Sequence, residues 1–170
     1  MIVNSDERQW AWMDEGLTTF VQYLAEQEFG EKYPEIIAPL DKFPSDRGPA
    51  QLITDYMSVD QNFLAPIMSN PENVYYLGPN AYGKPAAALN ILRETIMGKE
   101  LFDYAFKTYS QRWMFKHPTP EDFFRSMEDA SAVDLDWFWR GWFYTTDYVD
   151  IGLKEVNQYF VSPEPGEEML

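Results

Sequence analysis

Trp12-Met13-Asp14-Glu15-Gly16-Leu17-Thr18-Thr19-Phe20-Val21-Gln22-Tyr23-Leu24 is the stretch from which the rest of the chain is read. Leu17, Phe20, Val21 and Leu24 recur at i, i+3, i+4 and i+7, the apolar stripe of an amphipathic helix. Glu15, Thr18, Thr19, Gln22 and Glu26 share another face that is wholly polar. Gly30 is the expected stop. On periodicity alone that polar face reads as solvated surface, because helical acids usually are. The sharper alternative is a cleft wall on which Glu15 holds a metal.

Outward from this helix, the pattern stays helical. Between Lys32 and Pro79 seven prolines break every period, which predicts loops with short helices near 50–57 and 60–68. From Lys84 the stripe Ala88, Leu89, Leu92 and Ile96 predicts a helix that ends at Gly98. A second, with Phe102, Ala105, Phe106, Tyr109 and Trp113 inward, ends at Lys116-His117-Pro118. Thr119-Pro120-Glu121-Asp122 reads as an N-cap, a proline at the first helical position and acids in the first turn, with Phe123, Phe124 and Met127 facing in. A last helix from about Asp134 is expected to bury Leu135, Phe138, Trp139, Trp142 and Phe143. Residues 148–160 alternate loosely and suggest extended chain. The expectation is a mainly α domain over residues 1–160 with a loop-rich middle, followed by a disordered acidic tail over 161–170.

Composition narrows the function. The 170 residues include no Cys, which removes disulfides, thiolate metal sites and thiol nucleophiles. The net charge is -15 and gathers at the two ends: residues 1–30 hold six acids and one Arg, and residues 147–170 hold six acids and one Lys. Such a surface repels phosphate backbones and anionic lipid, so neither nucleic acid nor membrane is an expected partner. No apolar run approaches the roughly 18 residues of a membrane span. There is no Gly-rich phosphate loop, G-x-S-x-G elbow or C-x-x-C. His117 is the one histidine and reads as a cation at a helix end rather than a ligand. The Trp137-to-Tyr144 aromatics could be imagined as a sugar platform, but their helical spacing assigns most of them to core.

Five segments in order resemble the gluzincin aminopeptidases of peptidase family M1. Trp12 to Leu17 resembles the family's W-L-N-E-G-F. Tyr82-Gly83-Lys84-Pro85-Ala86 to Leu92 resembles Y-E-K-G-A-x-x-L-x-x-L. Gly98 to Phe102 resembles G-x-E-x-F, Thr119 to Phe124 the T-x-x-D-F/L-W helix start, and Asp134 to Tyr148 the aromatic close of the catalytic domain. Asp14 stands where the family has Asn, and Gly83 and Pro85 where it has Glu and Gly.

The resemblance implies a thermolysin-like fold, of which this chain would be the C-terminal half of the catalytic domain. It implies that Glu15 is the third zinc ligand and that Tyr82 stabilises the oxyanion of the tetrahedral intermediate. Pro85 supports the placement of Tyr82 in the elbow before a helix, since proline is comfortable only in a first turn. The family's other two ligands are the histidines of an H-E-x-x-H helix about eighteen residues before the Glu. That spacing puts the second histidine about five positions upstream of Met1. The implied parent is a Zn2+-dependent aminopeptidase acting on peptide substrates. The isolated chain is expected to be inactive, to bind zinc weakly and to self-associate through uncovered apolar surface. The alternative is a non-catalytic helical interaction module or an inactive homologue of the peptidase fold.

Overall fold

The computed structural model describes residues 2–37, 48–149 and 151–159. Among these the chain is mainly helical and has no strand. Residues 148, 149 and 151–159 accordingly enter no sheet, and Tyr148, Val149, Ile151 and Leu153 are exposed. The 161–170 tail lies outside the described residues.

Helix α1 runs Ala11–Lys32, with Asp14 in its positive first turn and Lys32 in its last. It passes through Gly30 rather than stopping there. The stop is Tyr33-Pro34, because a residue before proline is pushed out of the helical region. The buried face of α1 is also rotated from the expected stripe. Trp12, Met13, Gly16 and Phe20 are buried, whereas Val21 is 44% exposed and Leu17 and Leu24 lie at the margin. Trp12 causes the rotation: its ring stacks on Phe124 at 5.8 Å and meets Phe143 at 4.7 Å and Phe123 at 5.9 Å, pinning the helix start into an aromatic core.

After the short α2 (Pro34–Ile37) comes α3 (Pro49–Met57), close to the expected 50–57 helix, followed by loops in which the helix expected near 60–68 is a single 3-10 turn, Gln61–Phe63. A wider π-type turn, Pro79–Gly83, leads into α4 (Lys84–Ile91), with Pro85 in its first turn. All of Lys84 to Leu89 is buried, because α1 and α3 pack against α4. Ala86-Ala87-Ala88 supplies the small side chains that such close packing requires. A second π-type turn, Leu92–Ile96, ends at Gly98, whose φ of 81° glycine adopts without strain. Arg93 ties this turn to α5 (Lys99–Arg112) by a bidentate pair with Asp103, at 2.6 and 2.8 Å.

Helix α6 (Pro120–Ser131) packs on α5 and opens with a complete capping box between Thr119 and Asp122. Its Phe123, Phe124 and Met127 are buried as expected. Helix α7 (Asp136–Phe143) buries Phe138, Trp139 and Phe143, while Trp142 is half-buried and Trp137 is 61% exposed. Most of the aromatic set is therefore core rather than an open platform.

Candidate functional site

Three features of the local fold bring Glu15 and Tyr82 together although 67 positions separate them in sequence. Trp12, one turn before Glu15, fixes the rotation of α1. Pro85 fixes the start of α4, so Tyr82 falls in the π-type turn just ahead of it. Between them Gly16 lets the two elements touch. A Cβ on Gly16 would stand 2.6 Å from the Pro85 Cβ and 2.9 Å from the Ala81 carbonyl oxygen, nearer than real side chains approach.

At this junction Glu15 is half-buried and Tyr82 is 41% exposed. The Tyr82 hydroxyl interacts with the Glu15 carboxylate as hydrogen-bond acceptor. That interaction, reinforced by partial burial and by the negative charges of Glu15, Asp14 and Glu7, pushes the phenol up to about 12. It stays protonated at neutral pH and remains a donor. Glu7 shares the same ground: hydrogen bonding to Asp14 and the charges of Asp14 and Glu15 raise its carboxyl above the ordinary value. Glu7, Asp14 and Glu15 thus form an acidic rim around one phenol, a setting that favours cationic groups. Thr19 donates its hydroxyl to the Glu15 carbonyl at 2.6 Å, which adds a local tie within the first turns of the helix.

His117 lies elsewhere. Its Nδ1 sits 2.9 Å from the Asn4 carbonyl oxygen at the end of the α5–α6 connection, and it is exposed. Among the described residues no imidazole joins Glu15, and Glu15 belongs to no group of three residues close enough to hold a metal. A half-buried carboxylate is a chemically suitable zinc donor, but these residues do not complete a ligand set. The three acids that do converge within 4.8 Å are Glu128, Asp134 and Asp136 at the α6–α7 turn. Glu128 accepts from the Leu135 amide at 2.8 Å and Asp134 from the Asp136 amide at 3.1 Å, so two of these acids satisfy backbone amides where α7 begins.

Sequence reasoning singled out Glu15 and Tyr82 but assigned nothing to Gly16 or Lys84. Gly16 had a signal. A glycine inside a strong helical pattern costs about 1 kcal/mol against alanine, so it calls for a packing reason. Lys84 had a weaker one, a charge directly before Pro85-Ala86-Ala87-Ala88.

Compared with known families, the chain matches the peptidase family M1 domain over residues 2–142. It belongs to peptidase family M1, whose members are zinc-dependent hydrolases. No curated protein and no solved structure matches the chain.

Proposed function

We propose that this chain supplies part of the active site of a zinc aminopeptidase that removes N-terminal residues from peptides. Glu15 is the carboxylate arm of the metal site and Tyr82 the oxyanion donor. The observation that carries the reading is the meeting of Glu15 and Tyr82 across the α1–α4 junction, inside an acidic rim and within the region of the family match. Bound zinc supplies polarisation of the scissile carbonyl and an activated water.

The chain's own residues do the rest of what this half contributes. Glu15 presents a hard oxygen donor from a helix whose rotation Trp12 locks. The Tyr82 phenol, protonated across the physiological range, donates where negative charge develops on the substrate oxygen. In this structure the Tyr82 phenol is coupled to the Glu15 carboxylate. A carboxylate committed to a cation is a poorer acceptor, which frees the phenol for substrate. The acidic rim of Glu7 and Asp14 favours a peptide's N-terminal ammonium over an anionic end. On this reading the two imidazoles and the general base come from an H-E-x-x-H segment outside residues 1–170, and the chain alone has neither tight zinc nor peptidase activity.

The test compares this chain with the intact reading frame. Metal analysis and an aminopeptidase assay should find stoichiometric zinc and activity in the intact protein and neither in residues 1–170. In the intact protein Tyr82→Phe should keep zinc and lower kcat on the order of 100-fold or more. Glu15→Gln should lose zinc. Tight zinc in the chain alone, or an upstream segment without histidines, overturns the reading and leaves a non-catalytic homologue.

A further inference from the structure

Helix α3, the start of α4, and α7 with the chain after it line a half-open cavity of about 540 Å3. That lies within the roughly 300–1,000 Å3 of small-molecule sites. Neither Glu15 nor Tyr82 lines it, and its walls are mostly apolar and aromatic, with Tyr56, Trp137 and Trp142 prominent. Lys84, only 3% exposed, lines it as well. The Lys84 ammonium donates to the Tyr56 hydroxyl at 3.2 Å and to the Thr145 carbonyl at 3.0 Å, and it stands 4.7 Å from the centre of the Tyr56 ring. Tyr56, Thr145 and Asp147, the groups nearest in effect to this ammonium, all line the same cavity, which places the charge at its wall.

Among the described residues no carboxylate forms an ion pair with Lys84. Loss of hydration therefore dominates and lowers the amine to about 8, while the charge of Asp147 offsets only part of it. A buried, unpaired cation is costly unless something compensates it. An ammonium has three protons, and the two hydrogen bonds it makes here both go to neutral oxygens, so neither supplies a countercharge.

We propose that this cavity binds an apolar monocarboxylate, with an aryl or alkyl body between the aromatic walls and its carboxylate paired with the Lys84 ammonium. A single buried ammonium amid apolar walls matches one negative charge; a phosphate dianion would ask for more donors than the cavity offers. The protein's overall negative charge opposes anions only at long range, and salt screens it beyond about 8 Å under physiological conditions. Among the described residues Asp147 is the one acid lining the cavity, and it is exposed to water, whereas Lys84 is not.

The test titrates the chain with hydrocinnamate and, in parallel, with hydrocinnamyl alcohol, the same body without the charge, followed by calorimetry and tryptophan fluorescence. The carboxylate is expected to bind at least about tenfold tighter than the alcohol. Lys84→Met should erase that preference. Gly141→Phe should weaken both ligands, because Gly141 lines the cavity and a Cβ there meets nothing within 4 Å. Equal affinity for the two ligands, no binding of either at millimolar concentration, or a preference that survives Lys84→Met overturns the proposal. Should Lys84→Met fail to fold, Gly141→Phe decides: carboxylate binding that persists in that variant overturns it, and its loss supports it.

Discussion

Gly16 on α1 rests against Pro85 at the start of α4 with no room for a methyl group: a Cβ added to Gly16 would lie 2.6 Å from that of Pro85. The glycine is the hinge pin of the candidate site, because its neighbour Glu15 reaches the Tyr82 turn only while the two helices stay this close.

Gly16→Ala is expected to destabilise the chain despite alanine's better helix propensity. The overlap is with a proline ring and a backbone carbonyl, neither of which can swing aside, so a cost of about 1–3 kcal/mol follows from overpacking. Thermal unfolding should show it as a Tm lower by several degrees, at roughly 2–4 °C per kcal/mol for a domain of this size. An unchanged or higher Tm would show that the junction is looser than described.

Glu15→Gln should bring the Tyr82 phenol down from about 12 toward its ordinary value of 10. The carboxylate holds the phenolic proton and its charge opposes tyrosinate, and the amide removes the charge. NMR titration of ring-labelled tyrosine, with Tyr82→Phe to assign the signal, measures it directly.

Stability should rise with pH above about 8. Lys84 titrates near 8 when folded and at about 10.5 when unfolded, so between those values the unfolded chain holds a proton that the folded chain lacks. The penalty for burying the charge is fully present below pH 8 and is relieved as pH climbs, by up to about 3 kcal/mol. Tyr56, pushed up to about 12 by burial, works the other way above pH 10, where only the unfolded chain loses its phenolic proton. Urea unfolding across this range should therefore show an optimum near pH 10, and Lys84→Met should flatten the rise below it.

Thr119→Ala removes the hydroxyl that accepts from the Asp122 amide and with it half of the α6 capping box. A loss of about 1 kcal/mol is expected, read as a reduced urea midpoint with an unchanged slope. The Asp122 carboxylate still accepts from the Thr119 amide at 3.0 Å, which is why the loss should stay modest.

The sequence by itself determined that the chain is helical and where most helices begin, and it singled out Glu15 and Tyr82. Those features are local: a 3.6-residue period, a capping box, a proline in a first turn and the order of five short segments can all be read without knowing what lies across the core. It misjudged the end of α1 because Gly30, with no neighbour within 4 Å of its missing Cβ, is a tolerated cost in the helix, whereas Tyr33-Pro34 is a steric stop. It misjudged Val21 because the rotation of α1 is set by Trp12 against α6 and α7, a contact invisible to periodicity. Only the tertiary structure decided that Glu15 meets Tyr82, that Gly16 permits the meeting, and that Lys84 is buried beside an apolar cavity. Each of these depends on how closely two elements distant in sequence approach, and close packing settles that distance through shape across the core, which no single segment encodes.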